Sequence, residues 1–389
     1  MKPKSSSCRL FFRLLPVAMF SLSSFAAAQM LASKQPKGPG NIVVRTKFGG
    51  AIWGFDIDQN GTEGVLADAT ILDNGKTLSA IETFDLKTGK ILKVISKTEN
   101  YDNDLVIGIV GTSIAIVEHE QDNCATCFVS GRPYRLISPL DSNQYTGQLK
   151  PPHFDKNDIV FGLSRNQGEP TAAFIVLDNI FPGFNNFVFS WDVAKNTFGP
   201  EIKMTDPNFE PYLFPVFALD TKTNTVVLAG DAGCVEGCSP DIGLVNLTTG
   251  EFSHFQGLGD GVANGLAVDS EDGIACTTTA NDSNVQFYDL KTQTGFTELL
   301  PGATNGRIQS GTDVEFDPIH KLFLVGQPFS STAQKGSSIQ VYDPKGNLVE
   351  SVNGFGSSTV NLSFSYIALL PKQRSGFINA LPGLRSFTY

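Results

Sequence analysis

Along most of the chain, apolar and aromatic residues come in short runs broken by clusters of Asp, Asn, Gly and Pro. The runs are rich in Val, Ile, Phe and Thr, which suit a pleated, half-buried strand, and the breaks are rich in turn formers. Beyond the first segment, no stretch of about a dozen residues keeps the 3.6-residue apolar period of a helix. Pairs of runs read as hairpins: 53–58 with 64–69, 216–220 with 225–229, 265–269 with 273–277, and 313–317 with 321–325. Strands are also expected at 41–47, 363–370, 376–379 and 384–389.

One unit recurs: an apolar strand ends in Asp or Asn, a turn follows, and a second strand begins. It is clear at Thr83-Phe84-Asp85-Leu86, Ser190-Trp191-Asp192-Val193 and Leu244-Val245-Asn246-Leu247. It returns at Phe287-Tyr288-Asp289-Leu290 and Val341-Tyr342-Asp343-Pro344, with weaker copies at Leu136-Ile137-Ser138-Pro139 and Ser386-Phe387-Thr388-Tyr389. The anchors fall at 85, 138, 192, 246, 289, 343 and 388, at intervals of 53, 54, 54, 43, 54 and 45 residues. An Asp or Asn there can bond the turn's backbone, and a following Gly supplies positive φ. Such spacing fits one four-stranded blade per repeat, hence an all-β propeller. Three strands are left over after the sixth repeat and one before the first. Together they would make a seventh blade closed by the N-terminal strand, which protects two edges. Six blades with loose termini is the competing count.

Composition narrows the function classes. The 389 residues are 41% hydrophobic and 17% charged, enough for a sizeable core and unlike a disordered chain. A net charge of −10 argues against a nucleic-acid partner, which needs a basic face. Lys2, Lys4, Arg9 and Arg13 precede an apolar stretch, 14–25, that ends in Ala26-Ala27-Ala28. This is the pattern of a secretory signal peptide over 1–28. It predicts a secreted or periplasmic protein without an integral membrane segment after cleavage. Losing four basic and no acidic residues takes the net charge from −10 to −14. Residues 29–40 read as a flexible lead-in and 41–389 as a single propeller domain.

At motif level the chain resembles secreted bacterial β-propellers of the YVTN, NHL and SMP-30/gluconolactonase-like kind. The resemblance is carried by Ala263-Asn264-Gly265-Leu266-Ala267-Val268-Asp269, then Asp272-Gly273, then Phe287-Tyr288-Asp289. It covers about two blades and implies the fold far more than an activity, because propellers host unrelated functions. In gluconolactonase-like enzymes, an Asn and an Asp at inner-strand starts of successive blades help hold a divalent cation. The resemblance implies Asn264 and Asp313 in those places, with calcium or zinc as the cation. The family's first-blade Glu has no counterpart, since Ala51-Ile52-Trp53 occupies that region.

Other candidate chemistry is sparse, and no catalytic constellation can be named. His119, His153, His254 and His320 form no metal-binding spacing, and no nucleophile elbow or phosphate loop occurs. Asp56-Ile57-Asp58-Gln59-Asn60-Gly61 resembles the start of a calcium loop but has Ala67 where the twelfth-position carboxylate belongs, so a hairpin turn is expected. Cys124 with Cys127 and Cys234 with Cys238 fit two local disulfides in an oxidising compartment; a shared zinc site or a redox pair are the alternatives. Cys276 is expected to be a buried free thiol. Phe181 and Phe184 sit in a long insertion and are expected on a binding face with the Cys-bearing loops. Two readings follow. One is a scaffold that binds a small molecule or protein; the other is a metal-dependent lactonase-like hydrolase.

Overall fold

A computed structural model describes residues 37–389 except 59–60, 100–104, 111–112, 119–131, 138–144, 150–157, 165–170, 179–184, 193–194, 196, 205–211, 232–240, 262, 280–281, 302–310, 328–337, 356–366 and 381–382. The protein is an all-β propeller. Antiparallel sheets run in order along the chain over 51–99, 105–149, 158–204, 212–256, 263–299, 313–352 and 367–388. To the last is added the strand Gly38–Val44. The only helix among the described residues is a single 3-10 turn, Pro371–Gln373.

Inner strands meet from sheet to sheet. Ala51–Ile57 contacts Leu105–Val110, which contacts Asp158–Leu163. Farther on, Tyr212–Asp220 contacts Ala263–Asp269, which contacts Asp313–Asp317, which contacts Ile367–Leu370. The last of these touches Ala51–Ile57 again.

The core is the set of layers between neighbouring sheets. Along Leu322–Gln327 every residue is buried, yet alternate side chains serve different layers. Leu322 and Leu324 pack with Ile339, Ile367 and Phe387, whereas Phe323 and Val325 pack with Phe287 and Cys276. A strand covered on both faces is largely apolar, which is why Leu322, Phe323, Leu324 and Val325 show no period-two pattern. At the other extreme, every residue of the outer strand Thr294–Leu299 is exposed.

The recurrent Asp and Asn do what turn chemistry requires. Asp85 Oδ1 accepts from the amides of Lys87 (3.1 Å) and Thr88 (2.7 Å), and Asn246 Oδ1 from Thr248 (2.8 Å) and Thr249 (2.9 Å). Asp289 repeats this with Lys291 (2.8 Å) and Thr292 (3.0 Å). Asp220, Asp269 and Asp317 do the same after the first strands of their sheets. The Thr88 hydroxyl and amide hold the Asp85 carboxyl below its ordinary value. Four residues after these anchors the backbone is left-handed. Gly89, Gly250 and Gly273 occupy that place, but so do Asn224, Gln293 and Lys321, at φ 52, 55 and 55.

At the chain ends, Gly38–Val44 pairs antiparallel with Gly383–Thr388: Gly38 lies opposite Thr388, Pro39 opposite Phe387, Val43 opposite Arg385 and Val44 opposite Leu384. The ladder is irregular between Pro39 and Val43. Among the described residues strand structure thus starts at Gly38, inside the stretch expected to be a flexible lead-in. Pro39 is tolerated because an edge strand needs no donor there.

Candidate functional site

Because each sheet is an antiparallel meander, sheet-to-sheet connections and second-to-third-strand connections share one end of the ring. First-to-second and third-to-fourth connections share the other. Asn264 and Asp313, at the starts of adjacent inner strands, belong to the first end.

These two residues are brought close, and both work on the backbone of the following sheet. Asn264 Nδ2 donates to Gly311 O at 2.9 Å, in the connection leading to Asp313. Gly265 lets the strands approach, since a Cβ there would lie 2.6 Å from Val314 N. Asp313 is 8% exposed; its Oδ1 accepts from Val314 N at 3.0 Å and its Oδ2 from Ile367 N, in the next sheet, at 2.7 Å. Asp56 has the same two-handed arrangement, accepting from Ile57 N and from Ile109 N of the next sheet, both at 2.8 Å. Asn379 Nδ2 likewise reaches Ile52 O at 3.0 Å. These carboxylates and amides staple sheet to sheet. Among the described residues no three His, Cys, Asp or Glu side chains gather as a metal-binding group.

The remaining candidates divide between seen and unseen. Cys124, Cys127, Cys234, Cys238, Phe181, Phe184, His119 and His153 lie outside the described residues, as do 1–28. By the strands that flank them, 119–131, 179–184 and 232–240 each join a second strand to a third. Cys276 is free and fully buried, and burial pushes its thiol well up. Asp58 heads a turn, with Gly61 N donating to its carbonyl at 2.8 Å and the Thr62 hydroxyl to its carboxylate at 3.1 Å. His254 Nδ1 lies 3.0 Å from Asp241 Oδ2, and its ring stacks on Phe252. His320 Nδ1 lies 2.7 Å from Asp317 Oδ2, which also accepts from the Tyr389 hydroxyl at 2.7 Å.

Buried polar residues also recur within the third strands. Three residues before the anchors Asp85, Asp289 and Asp343, in the middle of buried third strands, stand Glu82, Gln286 and Gln340. Each lies diagonally across from a polar residue of the second strand: Asp68, Thr279 and Gln327. In the 313–352 sheet the set is well satisfied. Gln340 Nε2 donates to Gln327 Oε1 (2.8 Å) and to Ser338 Oγ (2.9 Å), while Gln327 Nε2 donates to Pro301 O (3.1 Å). In the 263–299 sheet Gln286 Oε1 and Thr279 Oγ1 are buried without a partner. In the 51–99 sheet the pair is acidic. Glu82 accepts from Lys47 N at 3.0 and 3.3 Å, and Asp68 Oδ1 accepts from the Thr70 hydroxyl at 3.1 Å. A polar residue three places before a recurrent Asp was the signal available in the sequence.

No protein-family model matches the chain, and no curated protein matches it. Solved structures do. A chain from the structure of U3-55K aligns with a TM-score of 0.62 at 12% identity, covering 90% of this chain and 100% of that one. A chain of Kuenenia stuttgartiensis hydrazine synthase aligns at 0.59 and 12% identity, covering 89% and 97%. A chain from the crystal structure of the mitotic checkpoint complex aligns at 0.57 and 9% identity, covering 92% and 91%. This chain has their fold, the β-propeller. At such identities the likeness carries nothing further. No helix among the described residues is long and apolar enough to cross a membrane.

Proposed function

We propose that this chain is a secreted or periplasmic β-propeller of seven blades, closed by its N-terminal strand, that acts as a binding scaffold for a small molecule or protein. The observation that carries the reading is the use made of the inner-strand polar groups. Asp313 spends both carboxylate oxygens on backbone amides, and Asn264 turns its Nδ2 group to Gly311 O. Side chains that stitch sheets together are not the open ligand set a lactonase needs. The ladder between Gly38–Val44 and Gly383–Thr388 supports seven blades over six. Kinship with the YVTN, NHL and gluconolactonase-like propellers rests on the Ala263–Asp269 stretch with Asp272-Gly273 and Phe287-Tyr288-Asp289.

The binding face is assigned to the end of the ring reached by 119–131, 179–184 and 232–240. On this reading, Cys124–Cys127 and Cys234–Cys238 disulfides brace two of those connections, and Phe181 and Phe184 offer apolar contacts on the third. Intact mass of the exported protein should place the mature start near Gln29, and peptide mapping should find the two disulfides. Elemental analysis and thermal shifts with calcium and zinc should find no stoichiometric cation. A bound cation lost on Asn264→Ala, together with lactone hydrolysis that needs it, would replace this reading with the hydrolase.

A further inference from the structure

The closing strand reaches past its own sheet. Lys37, the residue before it, sets its Nζ 2.5 Å from Glu350 Oε2, on the outer strand Leu348–Val352 of the neighbouring sheet. Pro39 lies against Gly354, just beyond that strand, where a Cβ would meet the Pro39 Cγ at 3.4 Å. Exposure along Leu348–Val352 follows this contact: Val352 is buried, whereas Leu348 and Val349 are 46% and 52% exposed. The next outer strand, Thr294–Leu299, carries Phe296 and Leu299, 41% and 62% exposed. Phe296 and Glu298 lie against Gly346, two residues before Leu348. These four side chains are half of the large hydrophobics exposed among the described residues, and they gather on two adjoining outer strands.

We propose that residues 29–36, which lie outside the described residues, cross this rim as an arm, and that Met30 and Leu31 cover Leu348, Val349 and Phe296. Direction supports it. Gly38 lies opposite Thr388, at the end of a third strand, and Leu348 begins a fourth, so both stand at the same end of the ring. The chain upstream of Lys37 therefore leaves beside the exposed part of Leu348–Val352. Reach supports it too. The six residues from Lys37 to Leu31 span at most about 20 Å. Leu348 is about 7 Å from Glu350 along its strand and packed sheets stand about 10 Å apart, so Leu31 can arrive at the strand of Phe296. Charge agrees: 29–37 holds Lys34 and Lys37 and no acid, while 294–299 and 348–352 hold Glu298 and Glu350 and no base. Pro36 has no N–H to donate, so the arm is held by side chains rather than by a ladder. Covering an apolar rim beside free strand edges keeps both from a second chain. The arm goes beyond the scaffold reading and rests on it only in needing a mature start upstream of Met30.

Hydroxyl-radical footprinting of the full mature chain, its start fixed by intact mass, reads the arm through oxidation of Phe296, Leu348 and Val349. The double substitution Met30→Asp, Leu31→Asp should speed that oxidation about threefold, since side chains in contact within about 4.5 Å exclude water from a half-exposed neighbour. Lys37→Glu should speed it as well, and adding Glu350→Lys should slow it again by restoring the ion pair with its signs exchanged. Equal rates in the natural chain and the Met30, Leu31 variant overturn the proposal. Those two substitutions fall outside every described strand, so their result stands whether or not the charge exchange folds. Slow oxidation of the natural chain that is lost on dilution assigns the rim to a second copy and overturns it too. A mature start downstream of Leu31 would remove the arm while leaving the Gly38–Val44 ladder in place.

Discussion

Asp313→Ala isolates the sheet-to-sheet staple. The substitution strands two N–H donors, Val314 at 3.0 Å and Ile367 at 2.7 Å from the carboxylate oxygens. At 8% exposure the site gives water little access to replace them. Each stranded donor costs about 1–3 kcal/mol, and removing the buried charge recovers part of its desolvation, so a net loss of about 2–4 kcal/mol is expected. Asp313→Asn keeps one acceptor and turns an N–H group toward the other donor, so it should lose about half as much or more. Urea unfolding followed by circular dichroism would report a lower midpoint at unchanged slope. Hydrogen exchange should place the local loss at Ile367, more than 50 residues away in sequence. Chelators should not change the natural protein's midpoint. A loss under about 0.5 kcal/mol for Asp313→Ala, the range of an ordinary surface change, would refute the staple.

Gln293→Gly relieves a left-handed residue at an exposed turn and should stabilise the fold by about 0.5–1 kcal/mol, read as a raised melting temperature. Gly89→Ala should do the reverse by more than about 1 kcal/mol, because the new Cβ would also lie 2.6 Å from Val43 O in the closing strand. Equal effects at the two sites would show that the shared turn geometry is not what governs them. Cys276 should resist aromatic disulfide reagents until the protein is unfolded, since burial disfavours its thiolate; labelling of the native protein at a free-thiol rate would contradict this. Tyr389→Phe removes the 2.7 Å hydrogen bond to the buried Asp317 and should cost about 1–2 kcal/mol in urea unfolding, with no loss expected if His320 alone suffices.

Much of the architecture was legible because turn chemistry is local. Asp85, Asn246, Asp289 and Asp343 mark strand ends by bonding amides two to four residues on, so their spacing traces the sheets. Asn264 and Asp313 were placed correctly at inner-strand starts. Their partners were not legible, since Ile367 N meets Asp313 only once neighbouring sheets pack. The left-handed Gln293 and Lys321 were not legible because such side chains rarely adopt that conformation, whereas Asn224 is of a type that does. Glu82 could have been found by aligning the anchors. Its partner could not, because Lys47 N meets it only once the connection folds over the sheet.

The pairing of Gly38–Val44 with Gly383–Thr388 has a mechanical consequence. Gly38 faces Thr388, so the start of that strand and the end of the last one sit side by side. A molecule stretched between them would feel force at the first rung of that one ladder, and the rungs would part in succession, as a zipper opens. Resistance should therefore be low at the outset. It should climb only after the strand has peeled away and the layer containing Val44 and Leu384 begins to carry load.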